Sequence, residues 1–263
     1  MSILSIAVAA LLSQAALAAD VTLQTADGIE LHGIHEPVAG AARAVLLVHG
    51  ERRTSNDWKF LQGKLQHAGF SSLAIDLRGH GTSQGVGVPP LPDETYLAMT
   101  ADVDAGMAYL REQGATEIML VGADLGANLA LAAGAATTDA SNIVLLSPGL
   151  KIHGIRADAA LRQWGERSIL FVVSNDDGYA AKSALLLDAQ ARGPKYMEIY
   201  AGAGKGAAML NREPACEGLV MSWLLGSHDI TGDQAHQDGP TIPTQGSAVQ
   251  TDGPSMQDVL GEQ

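Results

Sequence analysis

An α/β fold with a mainly parallel central sheet is what this chain predicts, on three observations. Apolar runs of strand length alternate with helical segments from residue 20 to residue 226. The run Ala44-Val45-Leu46-Leu47-Val48 is apolar at every position, as a strand covered on both faces must be. Finally, 263 residues with 46% hydrophobic content suit one domain large enough to bury a full core.

The elements follow in chain order. Residues 21–25 and 30–36 flank the turn Ala26-Asp27-Gly28 and read as a hairpin. Residues 44–50 form the first central strand, and 55–69 a helix that ends at Gly69. Residues 70–81 supply the next strand and its loop. A single long helix is expected over 93–114, opened by Pro92-Asp93-Glu94. Strand 117–122, helix 125–136 and strand 142–149 come next, then an irregular and partly helical piece over 150–167. Strand 168–174, helix 180–192, strand 195–202 and helix 215–226 complete the pattern, without an internal repeat.

Both ends differ from this middle. Ile3 to Leu12 is apolar, and Ala16-Leu17-Ala18 has the small-x-small form of a cleavage site, although no Lys or Arg precedes the apolar run. Residues 1–19 are therefore expected to be a signal peptide, which makes the protein periplasmic or secreted. No cysteine follows the cleavage point to carry a lipid anchor. Residues 227–263 are rich in Gln, Gly, Pro and Thr, hold six acids and contain no Lys or Arg, so a disordered acidic tail is expected. The net charge of −13 disfavours nucleic acid and anionic membrane surfaces as partners. Cys216 is the only cysteine and lies in an apolar-periodic segment, where it reads as a small buried hydrophobe.

In a parallel sheet, ligands bind outside the carboxyl ends of the strands. The residues placed there are His49-Gly50-Glu51, Arg78-Gly79-His80-Gly81, Asp124, Ser147-Pro148, Asn175-Asp176-Asp177 and Gly202-Ala203-Gly204-Lys205-Gly206. No metal-ligand spacing, phosphate loop or dinucleotide fingerprint occurs, so neither a metal nor a cofactor is expected.

With these residues set out, the chain resembles the α/β-hydrolase superfamily over residues 21–226. The stretches "VLLVHG", "AIDLRGHGTSQG", "VGADLGA" and "YAGAGKGAAML" stand in that family's order and spacing. The resemblance is to small members without a large lid, since only 150–167 separates two central strands. It implies a serine nucleophile in a Gly-x-Ser-x-Gly turn, a later acid, and a histidine after the last strand. It also implies an oxyanion hole from two main-chain N–H groups, one from Leu125 and one from the Gly50–Glu51 loop. The acid maps to Asp177, with Asp176 the alternative. His49 and His80 map to residues that brace these loops.

Two positions depart from the pattern. Asp124 stands where the serine belongs, and Lys205 stands where the histidine belongs. A lysine beside carboxylates is an ammonium at neutral pH and has no lone pair with which to activate water. Changing Ser, His, Asp to Asp, Lys, Asp leaves the site's charge unaltered, which is the mark of a compensated structural exchange. The expectation is a retained fold with a degenerate triad, Asp124 paired to Lys205 and gaining from the helix N-terminus behind it.

Two other readings stay open. In one, Asp124 attacks carbon as in dehalogenases and epoxide hydrolases, or an esterase works without the triad. In the other, the pocket binds a small acyl or apolar ligand. Ser147 and Ser174 follow strands but lie on no elbow. Arg52 and Arg53 read as surface residues, and His153 as a solvated loop residue that otherwise leans over the site.

Overall fold

A computed structural model describes residues 18–85 and 91–228. The expected signal peptide over 1–19 and acidic tail over 227–263 fall almost wholly outside the described residues.

The hairpin forms from β1 (Ala19–Gln24) and β2 (Glu30–Glu36), paired antiparallel. β3 (Arg43–Val48) and β4 (Ser71–Ile75) follow, separated by a short 3-10 turn (Ser55–Trp58) and α1 (Lys59–His67). Beyond β4 the chain alternates. Its strands are β5 (Glu117–Ala123), β6 (Ala140–Leu146), β9 (Ser168–Ser174) and β10 (Lys195–Tyr200). Its helices are α2 (Asp93–Ala98), α3 (Thr100–Glu112), α4 (Leu125–Ala135), α5 (Ala157–Trp164), α6 (Gly178–Asp188), α7 (Ala208–Arg212) and α8 (Pro214–Leu225). A two-rung hairpin, β7 (Lys151–Ile152) and β8 (Ile155–Arg156), precedes α5.

The eight-stranded sheet runs β1-β2-β4-β3-β5-β6-β9-β10. β2 meets β4 antiparallel, and every pairing from β4 to β10 is parallel. Successive residues of β3 explain why its sequence is uniformly apolar. Ala44, Leu46 and Val48 pack toward α3, α4, α5 and α6, whereas Val45 and Leu47 pack toward α1 and α8. Both faces are dry, so no position on the strand can be polar without losing its solvation.

The expected single helix over 93–114 is broken at Met99. There the Met99 N–H donates to Tyr96 O at 3.1 Å, and the Asp102 N–H to Met99 O at 3.1 Å, tighter bonds than an α-helix makes. The Thr100 hydroxyl also donates to Leu97 O at 2.9 Å and draws that carbonyl out of the ladder. No side chain caps α2: Pro92 holds the cap position, and Asp93 and Glu94 sit in the first turn. The irregular piece contains the β7–β8 hairpin and α5, and α7 is an element that the apolar pattern did not signal.

Candidate functional site

The turn from β5 into α4 is built by sterics. Asp124 sits at φ 53°, ψ −119°, in a region that a side chain enters only at a cost of about 1–3 kcal/mol. The flanking glycines leave no choice of residue. A Cβ on Gly122 would lie 2.4 Å from Gly126 O, and one on Gly126 would lie 2.3 Å from the carbonyl oxygens of Val48 and His49. Close approach of strand, turn and helix thus requires Gly at both ends of the frame. The Asp124 N–H donates to Leu146 O at 2.8 Å, which ties the turn to β6.

The Gly50–Glu51 loop lies directly against this turn, since a Cβ on Gly50 would be 3.1 Å from Asp124 Cβ and 3.4 Å from Oδ2. Two histidines hold the loop. His49 accepts from the Leu77 N–H at Nε2 (3.0 Å) and donates from Nδ1 to Gly50 O (2.7 Å). Burial drives its pKa down to about 4, so the ring is neutral and its two nitrogens keep opposite roles. His80 pairs its Nδ1 with Arg78 O at 3.1 Å and accepts from the Arg52 N–H at Nε2 (3.2 Å). The bracing roles expected of both rings are therefore met by geometry.

Lys205 reaches the turn from the loop after β10. Its Nζ lies 2.8 Å from Asp124 Oδ1. Burial works to lower the lysine pKa, but the hydrogen bond and charge of Asp124, with the charges of Asp177 and Glu51, hold it above its ordinary value. The loop itself is fastened at several points. The Gly206 N–H donates to buried Ser147 Oγ (2.9 Å), the Ala203 N–H to Ser174 Oγ (2.9 Å), and the Gly202 N–H to Asn175 Oδ1 (3.2 Å). Ser147 and Ser174 thus act as clamps on the lysine loop, a role that the sequence pattern did not reveal.

The two candidate acids do different work. Asp176 accepts from the Ser174 hydroxyl and from the Gly204 N–H (3.2 Å at Oδ2), and these bonds lower its pKa. Asp177 caps α6 by accepting from the Ala180 N–H at 3.2 Å, while its Oδ2 is buried with no hydrogen-bond partner. Asp124 occupies the N-cap position of α4, but its side chain makes no cap hydrogen bond. Its carboxylate turns to Lys205 instead, where full charge pairing outweighs a partial dipole. Leu125 follows directly as the first residue of α4.

His153 is not an isolated loop residue. Its Nε2 lies 3.3 Å from Glu51 Oε2, and its ring stacks on Tyr96 at 3.8 Å and 7°. The Tyr96 hydroxyl donates to Glu51 Oε1 at 2.7 Å. Beside Lys205 an open cavity of about 450 Å³ is lined by Asp176, Asp177, Gly204, Ala208 and Arg212. Among the described residues no three His, Cys, Asp or Glu side chains gather closely enough to hold a metal ion.

Comparison with known proteins gives a consistent picture. The profile of the alpha/beta hydrolase family matches residues 45–253. Bifunctional epoxide hydrolase 2 of Sus scrofa is 30% identical over 100 residues, which are 38% of this chain and only 16% of that protein's length. The same protein of Rattus norvegicus is 31% identical over 97 residues, again 16% of its length. Among solved structures, DcsB in complex with its substrate analogue superimposes with a TM-score of 0.70 at 13% identity, over 81% of this chain and all of that one. An esterase of Pyrococcus furiosus gives 0.66 at 16% identity, over 80% and 92%.

Proposed function

We propose, from the premise that this chain belongs to the alpha/beta hydrolase family, that it is a member whose triad is catalytically degenerate. The observation that carries this reading is the 2.8 Å contact between Lys205 Nζ and Asp124 Oδ1. A nucleophile must offer a lone pair to the substrate, and its base must accept a proton. Here one oxygen of the carboxylate at position 124 is held by an ammonium, which lowers its nucleophilicity. The residue at the base position has its pKa raised, so it carries its proton at any pH near neutrality. Acyl transfer followed by hydrolysis has no group to remove the proton from water. What remains is a fold, a strained turn and an open cavity beside Lys205.

One observation favours a second reading. An aspartate at the turn, with 30% identity over 100 residues to a protein named as an epoxide hydrolase, fits covalent attack by Asp124 on an epoxide or alkyl halide. Such an attack forms an ester on Asp124, and its turnover again needs a base at the position that Lys205 fills.

The two readings separate in one set of assays. Wild-type protein is expected to show no turnover of short-chain aryl esters, and no mass increase after incubation with epoxides or alkyl halides. The double variant Asp124→Ser/Lys205→His is expected to gain esterase activity, because Asp177 has an oxygen free to orient the new imidazole. Wild-type turnover that vanishes in Asp124→Ala would falsify the degenerate reading, and an adduct on Asp124 would establish the covalent one.

A further inference from the structure

The segment 149–156 lies between β6 and α5, at the carboxyl end of the sheet. Its sequence, Gly-Leu-Lys-Ile-His-Gly-Ile-Arg, makes a hairpin of only two residue pairs, Lys151 with Arg156 and Ile152 with Ile155. A ladder this short cannot hold its own place, so its position comes from contacts at its base and tip.

The base is fastened firmly. Asn128, fully buried on the first turn of α4, donates through Nδ2 to Gly149 O (2.9 Å) and Ile155 O (3.1 Å), and accepts from the Gly149 N–H (3.0 Å). From α6, the Tyr179 hydroxyl donates to Lys151 O (2.7 Å) and accepts from the Lys151 N–H (3.0 Å). Ile155 enters the core.

The tip is held differently. His153 and Gly154 both have positive φ, 44° and 79°, the backbone of a two-residue turn that Asn-Gly forms with less strain. A histidine is kept in that place, and its ring reaches the Gly50–Glu51 loop. Glu51 then has both oxygens engaged, one by Tyr96 from α2 and one by His153 from the hairpin. The ring stack of His153 on Tyr96 closes the triangle. Glu51 is two residues from His49, and its neighbour Arg52 donates its N–H to His80. A force on Glu51 therefore acts on the loop that packs against Asp124.

We propose that the β7–β8 hairpin is a strap, anchored at Asn128 and Tyr179 and latched at its tip by His153 to Glu51. The latch holds the 50–53 loop in its formed shape, and opening it loosens strap and loop together. This coupling rests on the tip contacts alone and stands whether or not the Asp124–Lys205 site turns over a substrate.

Hydrogen exchange of the full chain, read at single amides, tests the coupling. The Lys151 and Ala157 amides, bonded to Tyr179 and Leu150, report the strap, and the Arg52 and Arg53 amides, bonded to His80 and Gly50, report the loop. His153→Asn preserves the turn and removes the latch, and Glu51→Gln weakens it from the other side by taking away the carboxylate charge. Each is expected to raise exchange about five-fold at both sets of amides while those of β5 stay unchanged. Tyr179→Phe, which frees the base and leaves the tip residues in place, is expected to raise exchange in the strap and, to a smaller degree, in the loop. A rise confined to the strap in His153→Asn, or to the loop in Glu51→Gln, overturns the proposal. So does a Tyr179→Phe variant with a loosened strap and an unmoved loop.

Discussion

Single residues set the chemistry of this site, and their exposure sets how much each is worth. Lys205 is 55% exposed at its side chain and Asp124 20%, so the pair is not a deeply buried one. Stranding one charge therefore carries only a small penalty, since water solvates whichever charge is left. In a double-mutant cycle with Asp124→Asn and Lys205→Met, followed by urea denaturation, the coupling is expected at about 0.5–1 kcal/mol. Strictly additive losses would mean that the two side chains do not pair in solution. The meeting of Asp124 and Lys205 was legible in the sequence because each sits in a short motif after a strand. The partners of Glu51 were not. Tyr96 and His153 lie 45 and 102 positions beyond it, given their numbers in the chain, and no local pattern marks such a meeting.

Elements position those residues through packing that tolerates little change. The β5–α4 turn brings main chain against main chain, and Gly126 fits only because it has no Cβ. Gly126→Ala is expected to cost about 3 kcal/mol, with β3 forced away from α4. Thermal or denaturant unfolding checks this, and a loss below about 0.5 kcal/mol would mean that β3 and α4 separate easily. The same logic explains what the periodicity missed. Helix 93–114 has continuous helical character in its residues, yet Thr100 competes for a carbonyl and the chain tightens at Met99. The hairpin reads as an irregular piece in the sequence because its order comes from contacts with three other segments, two at its base and one at its tip. Hydrophobic period reports which face a segment buries, and it is silent on side-chain hydrogen bonds that redirect a backbone.

Across the whole molecule, stability and the site are linked through a buried ring at the centre of the sheet. His49 is fully buried, and burial places its pKa at about 4, below the ordinary histidine value of about 6.5. Between those values the unfolded chain binds a proton and the folded one does not, so stability is present above pH 6.5 and is lost as pH falls toward 4. The loss attributable to His49 is about 3 kcal/mol across that window. Denaturant titrations at pH 7, 5.5 and 4 are expected to show the wild type losing more stability than His49→Gln, and parallel curves would remove His49 as the cause. Burial also lowers the His35 pKa, which adds a slope common to both proteins. By itself the sequence determined the alternation of strand and helix and the parallel sheet. Both are written in composition and spacing over a few neighbouring positions. Only the tertiary structure decided that Asp124 makes no cap hydrogen bond to the helix behind it, that Asp177 keeps an unpartnered oxygen, and that a hairpin tip grips Glu51. Those outcomes depend on distances between segments far apart in the chain, where competition among charge, hydrogen bond and packing is settled by geometry.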